Sequence, residues 1–104
     1  GFYHGIPLGI LGYKNGWYVQ SNRESGEGYS DIFIKVEDDD LGIVIEIKYA
    51  ENAQYEMTCQ AALEQIQRMD YGKELLDDGC HTVLKYGIAC YKKKCRVAME
   101  KEEK

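Results

Sequence analysis

Three charged residues in the first half of the chain, Asp31, Glu46 and Lys48, have the types and spacing needed to hold and use a divalent cation. Asp31 lies near the start of an apolar-alternating segment, Tyr29 to Val36, and Glu46-Ile47-Lys48 closes another, Ile43 to Tyr49. Side chains alternate along a strand, so Glu46 and Lys48 share a face. If the two segments pair as an antiparallel hairpin across Glu37-Asp38-Asp39-Asp40, Asp31 comes to lie beside them. Two carboxylates then offer hard oxygen ligands to magnesium, which keeps other positions for water and phosphate. Such an ion acidifies water and stabilises charge on a phosphoryl group. An ammonium two residues on can orient that water or neutralise the developing charge. On spacing alone a second reading stays open: Glu46 and Lys48 as an exposed cross-strand pair and Asp31 as a turn residue, because D…E-x-K is a short pattern.

The elements that would position these groups follow from periodicity. Phe2, Ile6, Ile10 and Tyr13 fit one helical face, although Pro7 and three glycines interrupt it. Asn15-Gly16 marks a turn, and Trp17 to Asn22 alternates as a strand. Gly26-Glu27-Gly28 links it to the Tyr29 to Val36 strand, and the acidic tetrad ends that strand. Ile43-Val44-Ile45 begins a strand covered on both faces. Tyr55, Cys59, Ala62, Ile66 and Met69 form one apolar stripe. With Asn52 as N-cap and Gly79 as C′ residue, the spacing predicts a single helix over roughly residues 53 to 78, fraying near Gly72. Thr82 to Tyr91 and Arg96 to Met99 read as two further strands. The order is helix, three strands, long helix, two strands: an α/β/α sandwich around a mixed sheet.

Composition bounds the function. A chain of 104 residues, 44% hydrophobic and 30% charged, makes one globular domain over residues 1–104. No apolar run is long enough to span a bilayer and no secretory signal is visible, so a cytoplasmic protein with no membrane partner is expected. The chain opens on Gly1-Phe2-Tyr3 without a Met, as though cut from a longer protein, and Glu100 to Lys104 reads as a frayed terminus or the end of the parent chain. Cys59, Cys80, Cys90 and Cys95 lack the C-x-x-C spacing of a zinc site and read as reduced, small hydrophobes. The net charge of -5 opposes nucleic-acid binding, which rests on cations neutralising phosphates. Bound metal would cancel part of it locally, and Lys92-Lys93-Lys94 with Arg96 forms a compact basic run.

The stretch Ser21-Asn22-Arg23-Glu24-Ser25-Gly26-Glu27-Gly28-Tyr29-Ser30-Asp31-Ile32, followed by Ile43-Val44-Ile45-Glu46-Ile47-Lys48, resembles the PD-(D/E)XK nuclease superfamily. More narrowly it resembles the nuclease-type domain at the C-terminus of bacterial AAA-ATPase-like proteins. Phe2-Tyr3-His4-Gly5, Leu63-Glu64-Gln65-Ile66 and Lys85-Tyr86-Gly87-Ile88-Ala89 extend the likeness over nearly the whole chain. The resemblance implies a restriction-endonuclease-like α/β/α core with a mixed central sheet. It implies magnesium or manganese held by Asp31, Glu46 and the Ile47 carbonyl, with Lys48 as the catalytic cation. Gln65 matches a helix glutamine that points into the site, the alternative being a solvent-facing polar residue. His4 is the candidate for a first-helix metal ligand, the alternative being a hydrogen-bonded core histidine. Glu24 and Glu27 are alternative third acids, or solvated loop charges. Two departures stand out: Tyr29-Ser30 occupies the place of a common arginine, and Met69 that of a helix tyrosine, with Tyr71 two positions on.

Two functions are consistent with these residues. One is a metal-dependent phosphodiesterase acting on nucleic acid, DNA ahead of RNA, attached to an upstream AAA-ATPase-like domain of the same chain. A homodimer is left open. The other is a nuclease-derived docking domain that does not cut, a reading that the acidity and the nine tyrosines favour.

Overall fold

The computed structural model describes residues 17–24 and 29–104, with the backbone alone at 22–24 and 29–30. The helix expected over Phe2 to Tyr13 and the Gly26-Glu27-Gly28 link lie outside the described residues. Five strands form one mixed sheet in chain order: β1 (Trp17–Glu24), β2 (Tyr29–Val36), β3 (Leu41–Tyr49), β4 (Thr82–Tyr91) and β5 (Lys94–Glu103). β1, β2 and β3 run antiparallel in succession, β4 lies parallel to β3, and β5 returns antiparallel to β4. The parallel step needs a crossover, and two helices supply it: α1 (Tyr55–Arg68) and α2 (Tyr71–Asp77). The mixed sheet and helices make the restriction-endonuclease-like α/β fold.

Period-two patterning decides which face each side chain takes. On one face Ile32, Ile34, Val36, Ile47 and Cys90 form a buried cluster with Trp17 and Val19 of β1 packed against it. On the other face Val44 of β3 and Val83 of β4 meet Leu63 and Ile66 of α1, while Phe33 of β2 packs with Tyr71 and Leu75. Both described helices therefore cover the face that also carries Asp31, Glu46 and Lys48. The tight β2–β3 turn is a 3-10 turn over Glu37–Asp39 closed by Asp40 in the left-handed region, whose N–H donates to the Glu37 carbonyl at 3.2 Å. Asp tolerates that conformation better than most residues.

The single long helix is corrected. A helix of 26 residues would run about 39 Å, longer than the nine-residue β3, about 30 Å, along which the crossover must return. The chain breaks instead at Met69-Asp70, where Asp70 takes φ 57°. After the break α2 packs back over the start of β3, with Leu75 against Gly42. Met69 leaves the stripe, being about half exposed, and Leu63 and Gln65 join Cys59, Ala62 and Ile66 as the buried positions. Asn52 does not cap: it and Ala53 form a left-handed turn, and Gln54 holds the cap position without a side-chain bond. Gly79, at φ 109°, does follow the end of α2. The reading of the charged tail as frayed is corrected too. β5 runs to Glu103, and Glu102 pairs with the buried ammonium of Lys85 at 2.5 Å. No helix among the described residues is long and apolar enough to cross a membrane.

Candidate functional site

The β2–β3 register pairs Asp31 directly with Glu46. Direct cross-strand partners share a face, with Cβ atoms about 4.5–5.5 Å apart. Lys48 is one period further along β3, on the same face and next to Ala89 of β4. These charged residues are not at the surface: Asp31 is 1% exposed, Glu46 0%, Lys48 7% and Gln65 6%. The reading as an exposed cross-strand pair fails on that burial.

The helices explain how such charges are held. Gln65 projects from α1 toward the sheet, and its Oε1 accepts a hydrogen bond from Lys48 Nζ at 2.7 Å. The solvent-facing alternative for Gln65 is thereby excluded. Tyr71, in the first turn of α2, donates its hydroxyl to Asp31 Oδ2 at 3.1 Å. Its ring stands edge-on to Phe33, with centroids 4.7 Å apart and planes at 83°, which fixes the ring's direction. The break at Asp70 sets this placement. Without that reset of phase, a residue six positions after Gln65 would not share its face of a continuous helix.

Glu46 has a different environment. Both of its carboxylate oxygens are buried, and neither has a hydrogen-bond partner among the described residues. Native proteins seldom leave a buried polar group in that condition, and an ionised carboxylate so placed costs several kcal/mol. With Asp31 opposite and Lys48 as the nearby cation, the three formal charges sum to minus one. That donor set has the chemistry to accept a hard divalent cation, which would supply the missing charge.

Other sequence candidates divide clearly. The Ile47 side chain lies in the apolar cluster on the opposite face, so its backbone carbonyl is the atom to consider. His4 and Glu27 fall outside the described residues, as does the side chain of Glu24. Among the described residues no three His, Cys, Asp or Glu side chains gather as a metal-holding group. All four cysteines are free of disulfides. Burial raises the pKa of Cys80, and burial together with the Cys95 thiol pushes Cys90 up to about 12, so both stay protonated at neutral pH. The placement of Tyr71 depends on the helix break at Asp70, which periodicity does not reveal.

A family profile described as the PD-(D/E)XK nuclease superfamily matches residues 1–100. No curated protein and no solved structure matches the chain. With the matched span covering almost the whole sequence, and a mixed sheet that sets Asp31 opposite Glu46 with Lys48 on the same face, the chain belongs to the PD-(D/E)XK nuclease superfamily.

Proposed function

We propose that this is a magnesium- or manganese-dependent phosphodiesterase domain acting on nucleic acid, DNA ahead of RNA, and attached to an AAA-ATPase-like domain. The observation that carries the reading is the Glu46 carboxylate, fully buried, without a hydrogen-bond partner among the described residues, and directly opposite Asp31. Asp31, Glu46 and the Ile47 carbonyl would hold the ion. A divalent cation bound there supplies Lewis-acid polarisation of a phosphate oxygen and a more acidic water.

The chain's own residues do the rest. Lys48 places a fixed positive charge beside the two acids, where it can orient the attacking water or offset charge growing on the phosphate. Gln65, hydrogen-bonded to its ammonium, keeps that charge from wandering along a flexible stem. Tyr71 restrains Asp31 in the same way from the other helix. Burial under α1 and α2 lowers the local dielectric, which strengthens each of these interactions. The attachment to an AAA-ATPase-like domain is supported by the sequence resemblance.

The test is cleavage of short DNA with manganese. Wild type should cut, and Lys48→Ala should cut a hundredfold to a thousandfold more slowly, as when one electrostatic contact to a transition state is lost. The rise in melting temperature caused by manganese should persist in that variant, because the acids are intact. Cleavage that survives Lys48→Ala combined with Asp31→Ala would place the activity elsewhere. Absence of cleavage under every divalent metal would favour the docking-domain reading, which the net charge of -5 supports.

A further inference from the structure

We infer that Lys92, Lys93, Lys94 and Arg96, with the rings of Tyr55 and Tyr91, form a binding surface for the backbone of a single polynucleotide strand flanking the candidate site. The inference rests on the nuclease reading for its location, and on the hairpin's own chemistry for its ligand. The four cations lie on the β4–β5 hairpin, and Lys92, at φ 56°, makes its turn. They are exposed, and none is ion-paired with an acid among the described residues. Two of them rest on rings instead. Lys92 Nζ sits 5.3 Å from the centroid of Tyr91, and the Arg96 guanidinium 5.7 Å from that of Tyr55. The two tyrosine rings are themselves edge-on at 6.4 Å.

Together with Ala53 these residues line a recess of about 510 Å³. Cations and aromatic rings side by side match a strand with exposed bases: phosphates draw Lys92 and Arg96, and an unpaired base takes the ring face that the cation leaves. A duplex hides its base faces and would use only the cations. Glu56 is the nearby acid, lining the adjoining groove with Arg96.

Topology sets the recess near the candidate site. β4 is parallel to β3, with Ala89 beside Lys48, and the Ala50 N–H donates to the Cys90 carbonyl at 2.8 Å. The hairpin therefore leaves the sheet just past the end of β3 that carries Glu46 and Lys48. From Ala89 to Lys92 is about 10 Å of extended chain, close to three nucleotides at the ~3.4 Å spacing of a stacked strand. A strand crossing the candidate site would reach the hairpin within that distance.

The experiment measures binding of the full chain to a fluorescent single-stranded oligodeoxynucleotide in EDTA, across a range of salt. Metal is absent, so binding is read separately from cleavage. The slope of log affinity against log salt should shrink by about 2 in the Lys92→Ala, Lys93→Ala, Lys94→Ala triple variant, about 0.7 for each lost phosphate contact on a single strand. The triple lysine-to-arginine variant should keep the wild-type slope, which a loss of fold would not allow. Tyr91→Leu should weaken binding at unchanged slope, and its far-UV spectrum should match wild type. An unchanged slope in the alanine triple would overturn the inference, as would tighter binding to duplex than to single strand, or no binding by wild type at low salt. Cleavage that stays normal in an alanine triple with an unchanged slope would leave the nuclease reading standing alone.

Discussion

At the scale of single residues, the site separates groups with protein partners from one without. Lys48 has the Gln65 oxygen and Asp31 has the Tyr71 hydroxyl, whereas both Glu46 oxygens lack a hydrogen-bond partner among the described residues. Two carboxylates facing each other across a strand pair repel when no cation lies between them. Manganese should therefore raise the melting temperature by binding only the folded form, by roughly 10 °C or more at an ion concentration a hundred times Kd. Asp31→Asn and Glu46→Gln should each remove that rise, while the metal-free melt of Glu46→Gln stays unchanged or moves upward. Calorimetric melts with and without manganese check this. An equal metal response in wild type and both variants would rule out the assignment of the two acids.

At the scale of elements, the distance between α1 and the sheet is set by a missing side chain. A Cβ on Gly87 would come within 2.5 Å of the Cys59 backbone oxygen and 3.1 Å of the Ala62 Cβ. Gly87 lies beside Glu46 in the β3–β4 register, so α1 can approach closely enough there for Gln65 to reach Lys48. Gly72 differs, because its added Cβ would meet side chain rather than backbone, the Lys85 Cε at 2.7 Å, whose shift would strain only the Lys85–Glu102 ion pair. Gly87→Ala should cost about 1–3 kcal/mol, as for other overpacked contacts, and Gly72→Ala clearly less. Urea midpoints at unchanged m value would measure both. Equal losses would mean that α1 slides freely over the sheet. Gly87→Ala should also slow any cleavage, since the backbone that must move carries Gln65.

Across the whole molecule the densest acidic and basic runs lie at opposite ends of the strand axis. The β2–β3 turn holds Glu37, Asp38, Asp39 and Asp40. Asp78 joins that end, where Lys35 Nζ donates to its backbone oxygen at 2.8 Å, and β5 finishes there with Glu102 and Glu103. The candidate site and the basic hairpin occupy the other end. The nine residues of β3 set the hairpin about 30 Å from the acidic turn, several times the ~8 Å Debye length at physiological salt, and Glu46, five residues along, about 17 Å from it. The net negative charge therefore opposes a polynucleotide at the hairpin far less than its total suggests. Asp38→Asn with Asp39→Asn should tighten oligonucleotide binding at about 10 mM salt, where the screening length grows to ~30 Å. At physiological salt the same variant should bind like wild type. An equal gain at both salts would show that the acids act through contact rather than through the field.

Much of this was legible from residue order alone, for stated reasons. Period-two alternation in Ile32, Ile34 and Val36 specified β2, and the short acidic link to β3 required an antiparallel return. Those two facts already place Asp31 beside Glu46, and the period of two adds Lys48. The resemblance of the same stretches named the family before any geometry. What the sequence could not specify depends on contacts between elements distant along the chain. A uniform helical period hides the break at Asp70, which packing along strands of limited length favours, and with it the placement of Tyr71 on Asp31. Burial of Glu46 and Lys48 was equally hidden, because a charged strand end reads as solvent-facing until two helices are laid over it. The sorting of acids and cations to opposite ends required the parallel β3–β4 step, which turns the Lys92–Lys94 run toward the candidate site. Local periodicity is a property of neighbours in sequence, whereas burial and charge separation belong to the folded arrangement.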